Sequence, residues 1–293
     1  MNEYSDVHKI LAYLYLIRSF EVLLIAGTGS MTLIILGISD VLKLTELFII
    51  LLLGAAGVLT WNDTLDIVED SVAHPERPVI SGDVGVLEAR IIGTVLLLLS
   101  LAVSLNFATN AALLGLLGIT ISILYSFTSK SRFIVIAPMK NLVVAGVTAL
   151  FLALLPSVLE LSASWIYFLF VLSLVLILFG YEILKDIRDI SGDRAAGYQT
   201  LPLRKGIVNS GYTAAFFFAI SCILMSWGLF NIGYLTEAVI SLVTTVIVLI
   251  PFYYLKKHPD PESSDAVRYA VVFILLLSIG SIGMLLYLRL ISA

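Results

Sequence analysis

Asn62, Asp66 and Asp70 recur at a spacing of four residues at the end of a long apolar run. A second acidic string, Asp186, Asp189 and Asp193, follows another such run later in the chain. On a helix, each step of four advances the chain by ~6 Å and turns it by only ~40°. The first three side chains therefore share a face if the helix continues as far as Asp70. Asp189 and Asp193 are again four apart, with Asp186 beside them through a step of three. Ser191-Gly192 weakens helical continuity in this second string. Carboxylates held this close repel one another and call for a cation between them. Oxygen-only donors select a hard metal, and Mg²⁺ takes one or two carboxylates together with phosphate oxygens from a substrate. Asn62, Asp66 and Asp70, with Asp186, Asp189 and Asp193, are the candidate ligands. Arg77, Lys185, Arg188 and Arg194 lie close to these strings and Lys130 and Arg132 in a connection between them, and all could grip the same phosphate from the other side.

The elements that must position these groups belong to a membrane. The chain has 293 residues, of which 60% are hydrophobic and only 13% charged; a water-soluble domain is nearer half apolar and a quarter charged. Only helices or a closed barrel can span a bilayer. The long charge-free runs, far beyond the short alternating segments of a barrel strand, predict an all-α membrane protein. Nine spans are expected, at 11–37, 44–65, 86–105, 109–127, 134–155, 163–186, 208–229, 235–255 and 268–289. With the N-terminus inside, 13 of the 17 Lys and Arg residues fall on the cytoplasmic side, as the positive-inside rule requires. Both acidic strings then lie at the inner face of a multi-pass protein of the cell membrane. They follow the second and sixth spans. That interval divides a single domain, 1–293, into helices one to four, helices five to eight and a ninth, although no repeat beyond the acidic strings is visible.

Other chemistries find little support. Cys222 is the only cysteine, so no intramolecular disulfide can form, and His8, His74 and His258 are too scattered for a zinc site. A net charge of −4 argues against a nucleic-acid partner. The acidic start MNEYSDVHK is unlike the basic head of a signal peptide, and the first apolar segment is expected to be retained. Asn62-Asp63-Thr64 matches a glycosylation sequon but falls on the cytoplasmic side.

The strings themselves are recognisable. NDTLDIVEDSVAHPERPVISG resembles the NDxxDxxxD…RPxxSG signature of the UbiA-type intramembrane prenyltransferases, and DIRDISGDRAAGYQTLP resembles their second aspartate motif. YSFTSKSRFIVIAPMKN is similar to the family's YxxxxK…N segment, and PERPVISG and ISGDRAAG are most like archaeal members, including the geranylgeranylglyceryl-phosphate branch. The resemblance implies a helical bundle around a central cavity, capped by its cytoplasmic loops. It implies Mg²⁺-dependent transfer of a prenyl group, such as geranyl or geranylgeranyl, from an isoprenyl diphosphate to a lipophilic acceptor. That acceptor is an aromatic or quinone precursor, or geranylgeranylglyceryl phosphate. Of the candidate ligands the resemblance implies all but Asp186: Asn62, Asp66 and Asp70 fall on the first metal motif, and Asp189 and Asp193 on the second. Lys130 falls on the family's diphosphate-binding lysine, and Arg18 on the arginine of a first-helix RPxN motif. Here that motif reads Arg18-Ser19-Phe20-Glu21, without the Pro and Asn, and Lys140 stands where a small residue is common.

The mechanism expected from this resemblance assigns Asp66 and Asp193 to the metal and Lys130, Arg77 and Lys185 to the departing diphosphate. The faces of Tyr125 and Tyr181 would stabilise an allylic cation, and Asp63 or Asp66 would take the acceptor's proton. The rival reading from another class is an ion or small-molecule transporter, whose coupling groups belong near the bilayer midplane. In this chain the middle holds only Arg18, Glu21 and Lys140. A CDP-alcohol phosphotransferase would need a DGxxAR element, which the sequence lacks.

Overall fold

A computed structural model describes residues 3–128 and 139–292. Every regular element among them is a helix. The chain runs α1 (Glu3–Leu16), α2 (Ser19–Ile35), α3 (Val41–Asp63), α4 (Ile67–Ala73), α5 (Pro78–Ser81), α6 (Val86–Phe107) and α7 (Thr109–Thr128). It continues through α8 (Met139–Val158), α9 (Trp165–Arg188), α10 (Ile190–Ala196), α11 (Leu201–Lys205), α12 (Ile207–Asn231), α13 (Leu235–Lys257) and α14 (Pro261–Ser292).

Six helices, α3, α6, α9, α12, α13 and α14, are long and apolar enough to cross a hydrocarbon core unaided. Segments of α1 and α2 make a seventh if their 48° bend is counted within one span. The expected total of nine is not reached on length and composition. The two remaining spans fall on α7 and α8, whose apolar stretches among the described residues, Thr109–Leu124 and Ala145–Val158, are shorter.

Helix α9 is the axis of the bundle: 61% of its apolar window is buried, against 22–39% in the other long helices. Phe170, Leu174 and Ile177 pack there with Phe218 of α12, Phe252 of α13 and Leu275 of α14. Gly180 permits the α9–α12 approach, since a Cβ there would stand 3.1 Å from the carbonyl oxygen of Ala214. Buried hydroxyls join helices across the apolar interior. Ser100 donates to the carbonyl of Ile50, Ser221 to that of Ser173 and Ser241 to that of Cys222, each at 2.8 Å. Large apolar side chains such as Leu98, Phe216, Val246 and Phe273 point outward, as a lipid solvent allows.

Two expectations are corrected here. The first span is not one helix: Arg18 breaks it with a left-handed backbone, φ 50° and ψ 52°, a conformation that a residue with a Cβ adopts only under constraint. The second span does not run on to Asp70. It stops at Asp63, with Thr64 as C-cap, and α4 starts afresh at Ile67. The connections expected as loops contain the short helices α4, α5, α10 and α11. Pro78 in the first turn of α5 and Gly82 at φ 86° after it set the limits of that helix.

Candidate active site

A cavity of about 390 Å³ runs down the bundle between α2, α3, α7, α8 and α9. Its deep walls are apolar: Leu24, Ile50, Leu51, Ile119, Phe151 and Leu174 all line it. Its other end is lined by Arg18, Asn62, Asp66, Asp70, Arg77, Lys185, Asp189 and Asp193. The two acidic strings therefore face one space, although 119 residues separate Asp70 from Asp189.

Backbone packing brings them together. A Cβ on Gly192 would lie 2.6 Å from the carbonyl oxygen of Glu69, so α10 rests directly on the backbone of α4. The Tyr198 hydroxyl donates to Glu69 Oε1 at 2.7 Å, and His74 Nε2 bonds Asp189 Oδ1 at 2.6 Å. His74 continues the four-residue spacing of Asn62, Asp66 and Asp70, a signal in the sequence that could have placed it with them.

The acids are already matched by bases. Asp63 takes hydrogen bonds from Arg18 and, at 3.4 Å, from Arg77, while Arg77 also bonds Asp70. Burial raises the Asp70 carboxyl above its ordinary range, against the pull of Arg77. Burial would do the same to Asp189, but the Arg188 guanidinium, at 2.5 and 2.9 Å, and His74 hold it well below. Asn62 donates to Asp66. Asn141 of α8 donates to Asp186 at 3.0 Å, and Lys185 to Glu182 at 3.1 Å.

Deeper on the same side, Arg268 of α14 donates from one nitrogen to Glu21 and to the Tyr181 hydroxyl, each at 2.7 Å. Glu21 also pairs with Arg18. The result is a buried series of alternating charge, Arg268–Glu21–Arg18–Asp63–Arg77–Asp70, which runs from the last helix to the first acidic segment. Arg268 belongs to no motif in the sequence; only the fold reveals its partners.

Several expected site residues change place. Asp63 is 2% exposed and lies outside the cavity lining, engaged by two arginines. These two ion pairs hold it at the side of the site, while Asp66, the other carboxylate expected to take the proton, lines the cavity. Tyr181 does line the cavity, but Lys185 and Arg268 lie within 6 Å of its ring. A face bordered by two cations is poorly placed to receive a third. Lys130 and Arg132 lie outside the described residues, as do the side chains of Tyr125 and Lys140.

The donor set can be tested against a divalent cation. Among the described residues no three His, Cys, Asp or Glu side chains converge as a ready-made cage. Mg²⁺ needs none, since it binds through one or two carboxylates and completes its shell with water and phosphate oxygens. The facing carboxylates are hard oxygen donors. Glu69 Oε2 and Thr200 Oγ1, both of residues that line the cavity, are buried without a hydrogen-bond partner. An incoming polar group is what such atoms lack, and the residues fit a metal completed by its phosphate ligand.

Fold and site together define a class: a membrane-embedded helical bundle that receives an amphiphile, tail in the apolar cavity and anionic head among acids and bases. The chain belongs to the UbiA prenyltransferase family, whose profile matches residues 22–277. It is a prenyltransferase, and the transporter reading falls. Among its curated relatives is the digeranylgeranylglyceryl phosphate synthase of Sulfurisphaera tokodaii, 28% identical over 236 residues, covering 80% of this chain and 82% of that protein. The synthase of the same name from Sulfolobus acidocaldarius is 28% identical and covers 94% of this chain and 99% of its own. The archaeal likeness of the PERPVISG and ISGDRAAG segments agrees with these relatives. A UbiA homologue from Archaeoglobus fulgidus, solved with GPP and Mg²⁺, shares the fold with a TM-score of 0.68, 19% identity and coverage of 94% of this chain and 99% of its own. An apo UbiA homologue from Aeropyrum pernix does so at 0.69, with 19% identity and coverage of 89% and 96%.

Proposed function

We propose that this chain transfers the geranylgeranyl group of geranylgeranyl diphosphate to the free hydroxyl of geranylgeranylglyceryl phosphate. The carrying observation is that both acidic segments line the polar end of one apolar cavity. The name shared by the archaeal relatives supports this choice of acceptor over an aromatic or quinone precursor. In the reaction the C1–O bond to diphosphate breaks, the acceptor oxygen bonds to C1, and the hydroxyl proton is lost. Asn62, Asp66 and Asp70 on one wall, with Asp189 and Asp193 on the other, would hold Mg²⁺, which when bound neutralises charge on the diphosphate. Arg77 and Lys185 stabilise the departing diphosphate by charge and not by proton transfer. The apolar walls keep water from the allylic centre. Of the two carboxylates expected to take the proton, Asp66 lines the cavity and Asp63 does not.

The chain is read as one domain over 1–293 with nine spans, α1 and α2 together forming the first and α7 and α8 two more. The short helices α4, α5, α10 and α11 cap the cavity on the cytoplasmic side, the orientation that the positive-inside count favours. The test is purified protein with labelled geranylgeranyl diphosphate and geranylgeranylglyceryl phosphate, analysed by mass spectrometry. Product and diphosphate should appear together, vanish with EDTA and return with Mg²⁺. Product formation undiminished by EDTA, or no diphosphate release from any isoprenyl donor, would refute it.

A further inference from the structure

We propose that a floor built by Leu51 and Phe151, with Gly118 as the opening above it, limits the donor of this enzyme to four isoprene units. The inference rests on the prenyl-transfer reading and adds to it the residues that measure the tail.

The depth follows from three helices that line the cavity. On α3 the lining extends from Asn62 to Ile50, on α9 from Asp186 to Leu174, and each interval is twelve residues. At 1.5 Å per residue each corresponds to about 18 Å. Helix α8 agrees: Asn141, fixed to Asp186, marks the polar level, and Leu152, the deepest lining residue of α8, lies eleven residues beyond it, or about 16 Å. A prenyl chain advances four bonds per unit. With bonds of about 1.5 Å and open angles, one extended unit spans about 5 Å and four span close to 20 Å. Against that depth three units, about 15 Å, stop short of the floor, four reach it, and five, about 25 Å, overrun it by more than a unit.

What closes the bottom is specific. Leu51 and Phe151 line the cavity and also pack onto a separate apolar cluster whose centre is Leu33, Leu47 and Leu155, each at most 1% exposed. Leu51 lies over Gly29, where a Cβ would come within 2.2 Å of its Cδ1, so α2 and α3 hold the leucine in place across the passage. A tail that reaches this level meets packed side chains. Just above, Gly118 of α7 lines the cavity, and a Cβ added there would meet nothing within 4 Å. Gly115, three residues nearer the floor, would bring a Cβ to 3.7 Å from Leu101. A side chain at position 118 would therefore enter open space about 5 Å above the bottom, the length of one unit.

The experiment measures kcat/KM for the C10, C15, C20 and C25 isoprenyl diphosphates, and the binding of their non-hydrolysable thiodiphosphates by thermal shift. The unaltered enzyme should prefer C20 to C25 by at least tenfold. Gly118→Phe should reverse the C20-to-C15 preference by at least tenfold, in turnover and in thermal shift alike. Phe151→Ala and Leu51→Ala should open the floor and raise C25 relative to C20 by a similar factor. If Gly118→Phe does not fold, Gly118→Leu and Phe151→Ala decide. Equal use of all four donors, or preferences unmoved by these substitutions, overturns the ruler and leaves prenyl transfer standing. Failure of every donor to release diphosphate defeats the prenyl-transfer reading and the ruler with it.

Discussion

The two acidic segments face each other across the cavity mouth, yet they are built differently. The second follows α9, the most buried of the long apolar helices, with Asp189 alone between Arg188 and the start of α10, whereas three residues part α3 from α4. Amide bonds back by four residues persist in both, as from Asp193 to Asp189 and from Asp70 to Asp66. The first follows a helix that stops at Asp63, and its acids are held by arginines that come from elsewhere, Arg18 from before α2 and Arg77 from after α4. The second segment takes a base from its own helix, Arg188, and His74 from across the mouth, while the first closes a buried series of charges that starts on the last helix. This contrast assigns them different duties. We expect from it a second segment that acts as a fixed platform and a first that yields an arginine to a metal-bound diphosphate.

The most severe test treats the two sides as one clamp. Asp66→Ala and Asp193→Ala should each lower turnover of radiolabelled donor by about 10³-fold or more, with the protein still folded and monodisperse. If one of them keeps wild-type turnover, the facing segments do not share a ligand, whatever their proximity. A step smaller is Gly192→Ala, which inserts a methyl group where the backbone of α4 already stands. Displacing α10 by about 1 Å should cost roughly 10²-fold in kcat/KM, while the melting temperature changes little because the long helices are untouched. Gly280→Ala on α14, where a Cβ meets nothing within 4 Å, is the control.

These sites differ in how far the sequence discloses them. The hydrocarbon layer imposes a length on each span, so runs such as Val41–Asp63 and Leu235–Lys257 were found within three residues of their limits. The spacing of Asn62, Asp66 and Asp70 was legible because it is periodic, and the order of the motifs carried the family. The breaks were not. Neither the stop at Thr64 nor the left-handed turn at Arg18 has a glycine or proline to announce it. Arg18 and Asp63, the residues at the two breaks, bond each other although they are 45 residues apart. For the same reason the sequence marks Asp63 as a carboxylate in an acidic string and does not disclose that it is buried between two arginines. Pairwise charge matching over long separations has no local signature, whereas periodicity and hydropathy do.

His74, like Tyr198, joins the two sides without belonging to either set of metal candidates. It holds Asp189 at 2.6 Å from the first segment, and groups that orient a ligand in this way typically affect metal affinity by about 10-fold to 100-fold. His74→Ala should raise the Mg²⁺ concentration for half-maximal activity by about tenfold, with a smaller change in kcat at saturating metal. An unchanged metal requirement would mean that Arg188 alone orients Asp189 and that the second segment needs nothing from the first.

The mildest effect belongs to the far end of the charge series. In Glu21→Gln, Arg268 keeps Asp265 and Tyr181, and Arg18 keeps Asp63, so no cation is left alone. The loss should be about 1 kcal/mol of stability. Turnover should fall by only a few fold, because four links separate Glu21 from Asp70. Equilibrium unfolding in detergent and steady-state kinetics check both. The contrast with Arg77→Gln sharpens the point. That change strands Asp70, whose only described cation partner is Arg77, and leaving one buried charge unpaired costs about 3 kcal/mol. If Glu21→Gln were as damaging as Arg77→Gln, the first segment would be held by the whole series acting as a unit, and its freedom to yield an arginine to the substrate would have to be abandoned.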